Sequence, residues 1–221
     1  DWSSDVCSSD LKDVLVKYPH IFILSDEIYE KINYAGKHCS LAEYPELKDR
    51  IAVINGLSKG YAMTGWRMGY LAGPKELVAA CDKIQGLMTS GASSVSQMAS
   101  VTALEGPQDC VTDMKNVFEQ RRNTFHAALS SIPNLPCNLP DGAFYLFPDV
   151  SYYLGMKTPD GKVVNTADEL CLYLLDQGHV SAVSGEAFGH ANCVRVSYAA
   201  SEEQLQKAGQ RIATALKNLS H

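Results

Sequence analysis

The chain has 221 residues, of which 46% are hydrophobic and 9% aromatic, and its 19 lysines and arginines oppose 25 aspartates and glutamates. This composition is typical of one large globular domain or two smaller ones, and it excludes a disordered or fibrous chain. The formal net charge of -6 leaves no chain-wide basic field to gather nucleic acid or anionic lipid, so we expect neither partner.

Two features of the chain concern its compartment. The apolar runs, such as Ile21 to Leu24, are far shorter than the roughly 20 residues that cross a bilayer, and the N-terminus lacks the pattern of a secretory signal. Seven cysteines are scattered without a CxxC pair or a zinc-ligand spacing. We therefore expect small buried thiols in a reducing compartment, no metal site and a cytoplasmic location.

Residues 1–11 differ from the rest of the chain. They are rich in serine and aspartate, show no helical or strand period, and resemble the translated adapter remnants found at the edges of metagenomic reading frames. We expect this segment to be non-native or disordered, and the true N-terminus to be missing.

Strands and helices alternate in the pattern that follows, from Lys12 to Gly106. Short apolar runs predict three buried strands of a mostly parallel sheet covered on both faces: Ile21–Leu24, Ile51–Ile54 and Gly69–Ala72. Helical composition extends over Pro74–Met88 and Ser93–Leu104, with Pro74 at a helix start, where its missing N–H is tolerated.

The pair Gly106-Pro107 predicts a domain boundary, and a second α/β pattern follows it. Helices are predicted at Cys110–Ser130, Thr166–Gln177 and Ser201–Leu219, and strands at Ala143–Phe147, around Val180–Val183 and at Cys193–Ser197. The last helix opens with Ser201 and has Gln204 three residues later, which is a capping-box pattern.

The segment SKGYAMTGWRMGY, residues 58–70, carries the most chemistry. It directly follows a predicted buried strand, where open α/β sheets place their ligands. Lys59 in that position can be partly desolvated and so present a neutral amine able to form a Schiff base. Arg67, further along the same segment, offers a planar fork for a phosphate or carboxylate.

Two other motifs place polar groups at strands. In SDEIYE, Asp26 follows the first predicted strand and can stay ionised to hold a protonated ring nitrogen, and Tyr29 could reach the same ligand. In NCVRVSYA, Arg195 lies within an alternating strand, where a buried cation requires a partner anion. Taken singly, each residue has a structural alternative: Asp26 as a helix cap, and Lys59 and Arg67 as surface residues.

Together, these three motifs in this order resemble the C-terminal half of a class I/II, fold-type I pyridoxal-phosphate-dependent aminotransferase, similar to the bacterial aspartate aminotransferases. The resemblance implies an α/β fold. Residues 12–106 would be the C-terminal part of the large cofactor-binding domain, with a mostly parallel sheet and flanking helices. Residues 107–221 would form a smaller α+β domain.

The resemblance also implies pyridoxal 5'-phosphate as cofactor. Lys59 would be the Schiff-base lysine and the acid/base that moves the substrate proton, Asp26 would pair with the pyridinium nitrogen, and Tyr29 would donate to the phenolate oxygen. These roles suit a cofactor that supplies carbanion stabilisation while the protein supplies a base and a partner for the ring nitrogen.

Three more residues receive anion-binding roles from the resemblance. Ser58 and Arg67 would bind the cofactor phosphate, and Arg195 would clamp the α-carboxylate of the substrate. Tyr29 and Ser58 keep alternatives, because a tyrosine can simply be packed and a serine can cap a turn.

The expected reaction exchanges an amino group between an amino acid, aspartate or similar, and a 2-oxo acid, in a homodimer whose Thr89–Gln97 segment lies near the neighbouring site. No lysine or arginine occurs between Lys83 and Lys115, so aromatic, alanine-type or kynurenine-type donors stay open. Alternatives are another fold-type I lyase or synthase, or a cofactor-binding regulatory domain. Relatives would carry further cofactor contacts in an N-terminal half, so we expect this chain alone to be inactive.

Overall fold

The computed structural model describes residues 8–221, and its contacts divide the chain into two compact units that meet in sequence at Lys115 and Asn116. The helices are α1 Ser8–Val16, α2 Leu57–Gly60, α3 Lys75–Thr89, α4 Ser94–Glu105, α5 Asp109–Ser130, α6 Ala167–Gly178 and α7 Glu202–Lys217. The strands are β1 Ile23–Asp26, β2 Ile51–Gly56, β3 Gly69–Ala72, β4 Tyr145–Leu146, β5 Met156–Lys157, β6 Val163–Val164, β7 Val183–Ser184 and β8 Val194–Ser197.

Most of the segment 1–11 lies outside the described residues, so its expected foreign origin stays a prediction. Residues 8–11 belong to α1. None of the helices in residues 8–221 is long and apolar enough to cross a membrane.

The first unit is built on a three-stranded sheet in the order β1-β2-β3. β1 and β2 run parallel, whereas β2 and β3 run antiparallel, so the expectation of a mostly parallel sheet holds for one of these two pairings. The first strand begins two residues later than predicted, at Ile23, and only that residue of it is buried. Leu24 is 63% exposed, so within the described residues this strand is less buried than predicted.

Helices α3 and α4 follow the predicted segments within one residue at each end. Pro74 is the N-cap residue of α3, as expected for a residue without a backbone N–H. Both helices expose large apolar side chains, including Leu87, Met88, Val95 and Met98.

The second unit packs helices against the antiparallel sheet β4-β8-β7. Its core consists of fully or nearly fully buried aliphatic side chains contributed by the sheet and by α5, α6 and α7: Leu129, Leu146, Leu170, Leu174, Val194, Val196, Leu205, Ile212 and Leu216. In α7 the buried positions 205, 209, 212 and 216 recur at the period of one helix face.

Helix ends in the second unit follow the sequence signals. The Ser201 hydroxyl accepts a hydrogen bond from the Gln204 N–H at 3.3 Å, which confirms the predicted cap of α7. Thr166 caps α6 in the same way through the Glu169 N–H. The predicted break at Gly106-Pro107 does separate α4 from α5, but the two units divide further along, inside α5.

Strands in the second unit are shorter than the apolar runs predicted. Residues 143–147 give only β4, since Ala143 has a φ of 56°, which is incompatible with an extended strand. Residues 180–183 give β7 only from Val183, because His179 ends α6 in the left-handed conformation. The hairpin β5–β6 was not predicted, although the turn residues Pro159, Asp160 and Gly161 mark it.

The cysteines are less uniformly buried than predicted. Cys193 is buried, Cys81, Cys137 and Cys171 are half-buried, and Cys39 and Cys110 are exposed. None of these six forms a disulfide, and Cys7 lies outside the described residues. The prediction of small buried thiols is therefore wrong for the two exposed ones, which lie in a loop and on the first turn of α5.

Candidate functional site

The carboxyl ends of β1 and β2 lie at one edge of the first sheet. Asp26, the last residue of β1, is in register with Ile54, and β2 continues to Gly56 before passing directly into α2. Helix α2 carries Ser58 and Lys59. Because the two strands are parallel, the chain segments that follow them start at the same sheet edge, where α/β folds bind ligands.

Lys59 and Tyr29 are brought into contact at this edge. The Lys59 Nζ lies 5.9 Å from the centroid of the Tyr29 ring, which is within the range of a cation–π contact. Tyr29 reaches this position because the chain turns after β1, with the Glu30 N–H donating to the Glu27 carbonyl and the Ile32 N–H donating to the Tyr29 carbonyl. The chain therefore turns at Tyr29.

Asp26 closes a local turn at the end of β1, and no helix starts there among the described residues, so the helix-cap alternative is wrong. Its Oδ1 accepts a hydrogen bond from the Ile28 N–H at 3.2 Å, and the residue is exposed. A carboxylate has two oxygens and about four lone-pair sites, so this single bond leaves acceptor capacity for a ligand. The turn contact and ligand binding are thus compatible at Asp26.

The loop from Leu57 to Gly69 is closed on itself and strained. The Leu57 N–H donates to the Met68 carbonyl, and the backbone of Gly56 passes so close to this loop that a Cβ would lie 2.8 Å from the Met68 oxygen. Ala62 and Arg67 both adopt a φ of 53°, a conformation that non-glycine residues rarely take. Such strain persists where the surroundings enforce it, and it is concentrated at functional sites.

Arg67 lies at the far end of this loop with an exposed side chain. Its Nη1 donates to the Thr64 carbonyl at 3.0 Å, and no carboxylate of the described residues pairs with it. The guanidinium therefore retains donors for an anionic ligand. Ser58 is half-buried on α2.

An open groove with a volume of about 930 Å³ runs beside this loop within the first unit. Arg67, Trp66, Tyr70 and Asn55 line it together with residues of α3 and of the segment that precedes α4. Burial, helped by the nearby negative charge of Glu30, raises the pKa of the Tyr70 hydroxyl. The Tyr70 hydroxyl therefore remains a proton donor at neutral pH. Lys59, Ser58, Asp26 and Tyr29 are not among the lining residues.

One buried acid beside Asp26 was missed by the sequence analysis. Glu27 is 7% exposed, and its carboxylate accepts hydrogen bonds from the hydroxyls of Ser25 and Ser40 and lies 3.0 Å from the Nε2 of His38. The Glu27 carboxylate thus ties the loop at residues 38–40 to the end of β1. The acidic pair in SDEIYE was the available signal, but an exposed and a buried acid are indistinguishable in sequence.

Arg195 belongs to the second unit, on the central strand β8. The carbon Cζ of its guanidinium lies 4.4 Å from the centroid of the Tyr145 ring and 4.1 Å from that of Phe188. Arg195 is half-buried, and among the described residues aromatic rings flank it. The partner anion expected for a buried Arg195, the substrate carboxylate, stays a prediction. Phe188 is a candidate site residue to which the sequence reasoning gave no role.

The predicted site residues belong to the first unit, except for Arg195, which belongs to the second. Lys59 and Tyr29 are in contact, Asp26 and Ser58 lie at the same strand ends, and Arg67 ends the same loop. The roles that the resemblance gives to these residues, and to Arg195 in the second unit, stay predictions.

The comparisons with known proteins point to one family. The family model described as aminotransferase class I and II matches residues 5–212. An aspartate aminotransferase from Rhizobium meliloti (strain 1021) is 45% identical over 212 residues, which are 95% of this chain and 52% of that protein. A bifunctional aspartate aminotransferase and glutamate/aspartate-prephenate aminotransferase from Petunia hybrida is 45% identical over 210 residues. These residues are 93% of this chain and 44% of that protein.

A solved structure agrees with these sequences. The crystal structure of the aspartate aminotransferase from Rhizobium meliloti matches with a TM-score of 0.92 and 44% identity, covering 97% of this chain and 55% of that one. The chain therefore spans about half the length of the relatives it matches, and where that half lies within them stays a prediction. Because the family match extends over most of the sequence, the chain belongs to the aminotransferase class I and II family.

Proposed function

We propose that the whole protein to which this chain belongs is a pyridoxal-phosphate-dependent aminotransferase. It exchanges an amino group between an amino acid, with aspartate or a similar acid as donor, and a 2-oxo acid. Family membership and the aspartate aminotransferases among the relatives support this proposal. The observation that carries it is the Lys59 amine, placed against the Tyr29 ring at the strand edge where Asp26 ends β1.

The side chains at this edge fit pyridoxal phosphate, the cofactor of this family, by their chemistry. Lys59 provides the primary amine that an aldehyde requires, and Asp26 provides an ionisable acceptor for a pyridinium N–H. The Tyr29 hydroxyl can donate to a phenolate oxygen. Ser58 and Arg67 provide a hydroxyl and a guanidinium for a phosphate. When bound, the cofactor supplies an electron sink for the carbanion formed at the substrate α-carbon.

Lys59 has two tasks in the proposed reaction. Its amine would hold the aldehyde carbon of the cofactor and, once released, would move a proton between the substrate α-carbon and the C4' carbon of the cofactor. The short helix α2 fixes the lysine backbone directly after β2, so the amine is confined to one sheet edge. Contact with the Tyr29 ring restricts its rotation further.

Two anion contacts would set the orientation. Arg67 and Ser58 hold the phosphate at the strained loop, whose fixed backbone keeps the donors in place without reorganisation. Asp26 keeps the ring nitrogen protonated, because an ionised carboxylate stabilises a cation beside it. Arg195 binds the α-carboxylate of the amino acid with its planar fork.

The experiment is a comparison of the full-length protein with its Lys59→Ala and Lys48→Ala variants. We expect turnover of aspartate with a 2-oxo acid to fall by at least about 10²-fold in Lys59→Ala, since a general acid–base group contributes that much or more. Lys48, an exposed lysine, should be dispensable. Aspartate, glutamate, alanine and tyrosine tested separately as donors identify the substrate. Turnover that needs no 2-oxo acid would contradict the transaminase assignment and point to a lyase.

We also propose a homodimer and a cytoplasmic location. The exposed apolar side chains of α3 and α4, among them Leu87 and Met98, support an interface between copies at these helices. The six free thiols support a reducing compartment.

A further inference from the structure

We propose that Phe188 and Tyr145 are positioning residues for substrate binding: their rings hold the Arg195 guanidinium by stacking, so that its charge is kept for the substrate carboxylate. This inference rests on the proposed function, in which Arg195 binds that carboxylate. The contacts that carry it are the two short distances from the Arg195 Cζ to the ring centroids, 4.4 Å for Tyr145 and 4.1 Å for Phe188.

The alternation of β8 brings Arg195 to the sheet face that carries Tyr145. Val194 and Val196, its neighbours in sequence, are 3% and 4% exposed and belong to the core, so Arg195 projects to the other face. Tyr145 on β4 is paired with Ser197, two residues from Arg195, and therefore lies diagonally across from it on the same face. Diagonal neighbours in an antiparallel pair are within reach of long and aromatic side chains.

A tightly held turn brings the Phe188 ring to the same guanidinium. The short 3-10 helix Gly185–Phe188 follows β7 and is capped by the Ser184 hydroxyl, which accepts from the Glu186 N–H. The Gly185 N–H donates to the Cys193 carbonyl at 2.7 Å, and a Cβ at Gly185 would lie only 2.3 Å from the His190 oxygen. The turn is thus pinned to the residue before β8, which fixes the ring relative to Arg195.

Stacking on aromatic rings leaves the N–H donors of the Arg195 guanidinium available to a ligand. A guanidinium is flat and weakly hydrated, so aromatic rings can hold its faces while its in-plane N–H donors stay available. A protein carboxylate in the same place would occupy those donors and neutralise the charge. Within residues 8–221 no carboxylate pairs with Arg195. A substrate carboxylate can therefore bind the oriented Arg195 guanidinium without first displacing a carboxylate of the protein.

The test uses the full-length protein and two ring-removing variants, Phe188→Leu and Tyr145→Leu. Phe188→Tyr restores a ring, and Tyr152→Leu is a matched control that removes a half-exposed aromatic from the same unit. Succinate, a dicarboxylate without an amino group, is the binding probe, and its dissociation constant is measured by calorimetry. We expect each ring-removing variant to weaken succinate binding and raise the KM for aspartate by about threefold to tenfold, the scale of one cation–π contact, with kcat little changed.

Phe188→Tyr and Tyr152→Leu should bind succinate as the unmodified protein does. A loss that appears in kcat alone, or succinate affinities unchanged by removal of either ring, would overturn the inference. Should one variant fail to fold, as judged by its thermal unfolding, the other still decides the question. A transamination assay of the protein that retains Lys59, run beside the succinate titrations, separates the two proposals. A ring effect on succinate binding in a protein that exchanges no amino group would support this inference while contradicting the proposed function.

Discussion

At the scale of single residues, Glu27 is the acid whose removal should cost most stability. Its buried carboxylate accepts hydrogen bonds from the Ser25 and Ser40 hydroxyls and contacts the His38 ring. Since a lost hydrogen bond to a charged group costs about 1.5–3 kcal/mol, we expect Glu27→Ala to lower the free energy of unfolding by at least about 2 kcal/mol. Urea unfolding measures this, with the exposed Glu43→Ala as control. Equal stability of the two variants would show that the Glu27 contacts contribute nothing.

Two half-buried thiols give the chain a predicted response to alkaline pH. Burial raises the pKa of Cys137 to about 11 and that of Cys171 to about 11. Because an unfolded thiol ionises nearer pH 9, the unfolded state loses these protons first, and the stability contributed by the two thiols falls as pH rises from about 9 to about 11. Cys137→Ala with Cys171→Ala should flatten the curve of unfolding free energy against pH in that window.

The same thiols should resist alkylation at neutral pH, since the thiolate is the reactive form. Iodoacetamide followed by peptide mass spectrometry should label the exposed Cys39 and Cys110 well before Cys137 and Cys171. Equal labelling of all four at pH 7 would contradict the raised pKa values.

At the scale of elements, the loop between β2 and β3 depends on a glycine. A Cβ at Gly56 would lie 2.8 Å from the Met68 oxygen and 2.9 Å from the Gly69 Cα, and neither backbone atom can rotate away. We expect Gly56→Ala to cost about 1–3 kcal/mol, the usual cost of overpacking, and to weaken cofactor affinity because the loop carries Lys59 and Arg67.

Gly86→Ala is the matched control for this substitution. Gly86 lies in helix α3 with no atom within 4 Å of a new Cβ, so the alanine should be neutral or stabilise the helix by up to about 1 kcal/mol. Unfolding and cofactor titration of both variants test the prediction. A Gly56→Ala variant that matches Gly86→Ala in both would contradict the role given to the close approach.

Sequence signals predicted long elements better than short ones. Helix α5 extends 22 residues, and its apolar period and flanking Gly106-Pro107 marked it within one residue. The two-residue strands carry no period, so β5 and β6 were missed, and the run at residues 143–147 was shortened by the positive φ of Ala143. That conformation is set by tertiary contacts, among them the Tyr198 hydroxyl donating to the Ala143 carbonyl.

At the scale of the whole molecule, the apolar faces of α3 and α4 lead to the proposed homodimer. Leu87 is 81% exposed and Met98 is 68% exposed, which is costly for a surface that meets only water. We expect the full-length protein with Leu87→Glu and Met98→Glu to be monomeric by light scattering, since buried glutamates would oppose association. Tyr152→Glu should remain dimeric. A dimer that survives the double substitution would place the interface elsewhere.

How far the site could be predicted depended on the kind of signal. Lys59, Asp26 and Arg67 stood out because motif order and position after strands are visible in sequence. The Glu27 cluster and the rings around Arg195 could not be found that way, because their partners, Ser40 and Phe188 among them, are joined only by the folded chain. Sequence gave no sign of the aromatic rings that flank Arg195 in the fold.

The most direct measurement is borohydride reduction of the full-length protein loaded with pyridoxal phosphate, followed by peptide mapping. We expect a single pyridoxyl group, attached to the Nζ of Lys59. Lys59 is expected to react because it lies beside the Tyr29 ring, directly after β2. A label on another lysine, or no label on a protein that nevertheless transaminates, would contradict the proposal that Lys59 forms the Schiff base.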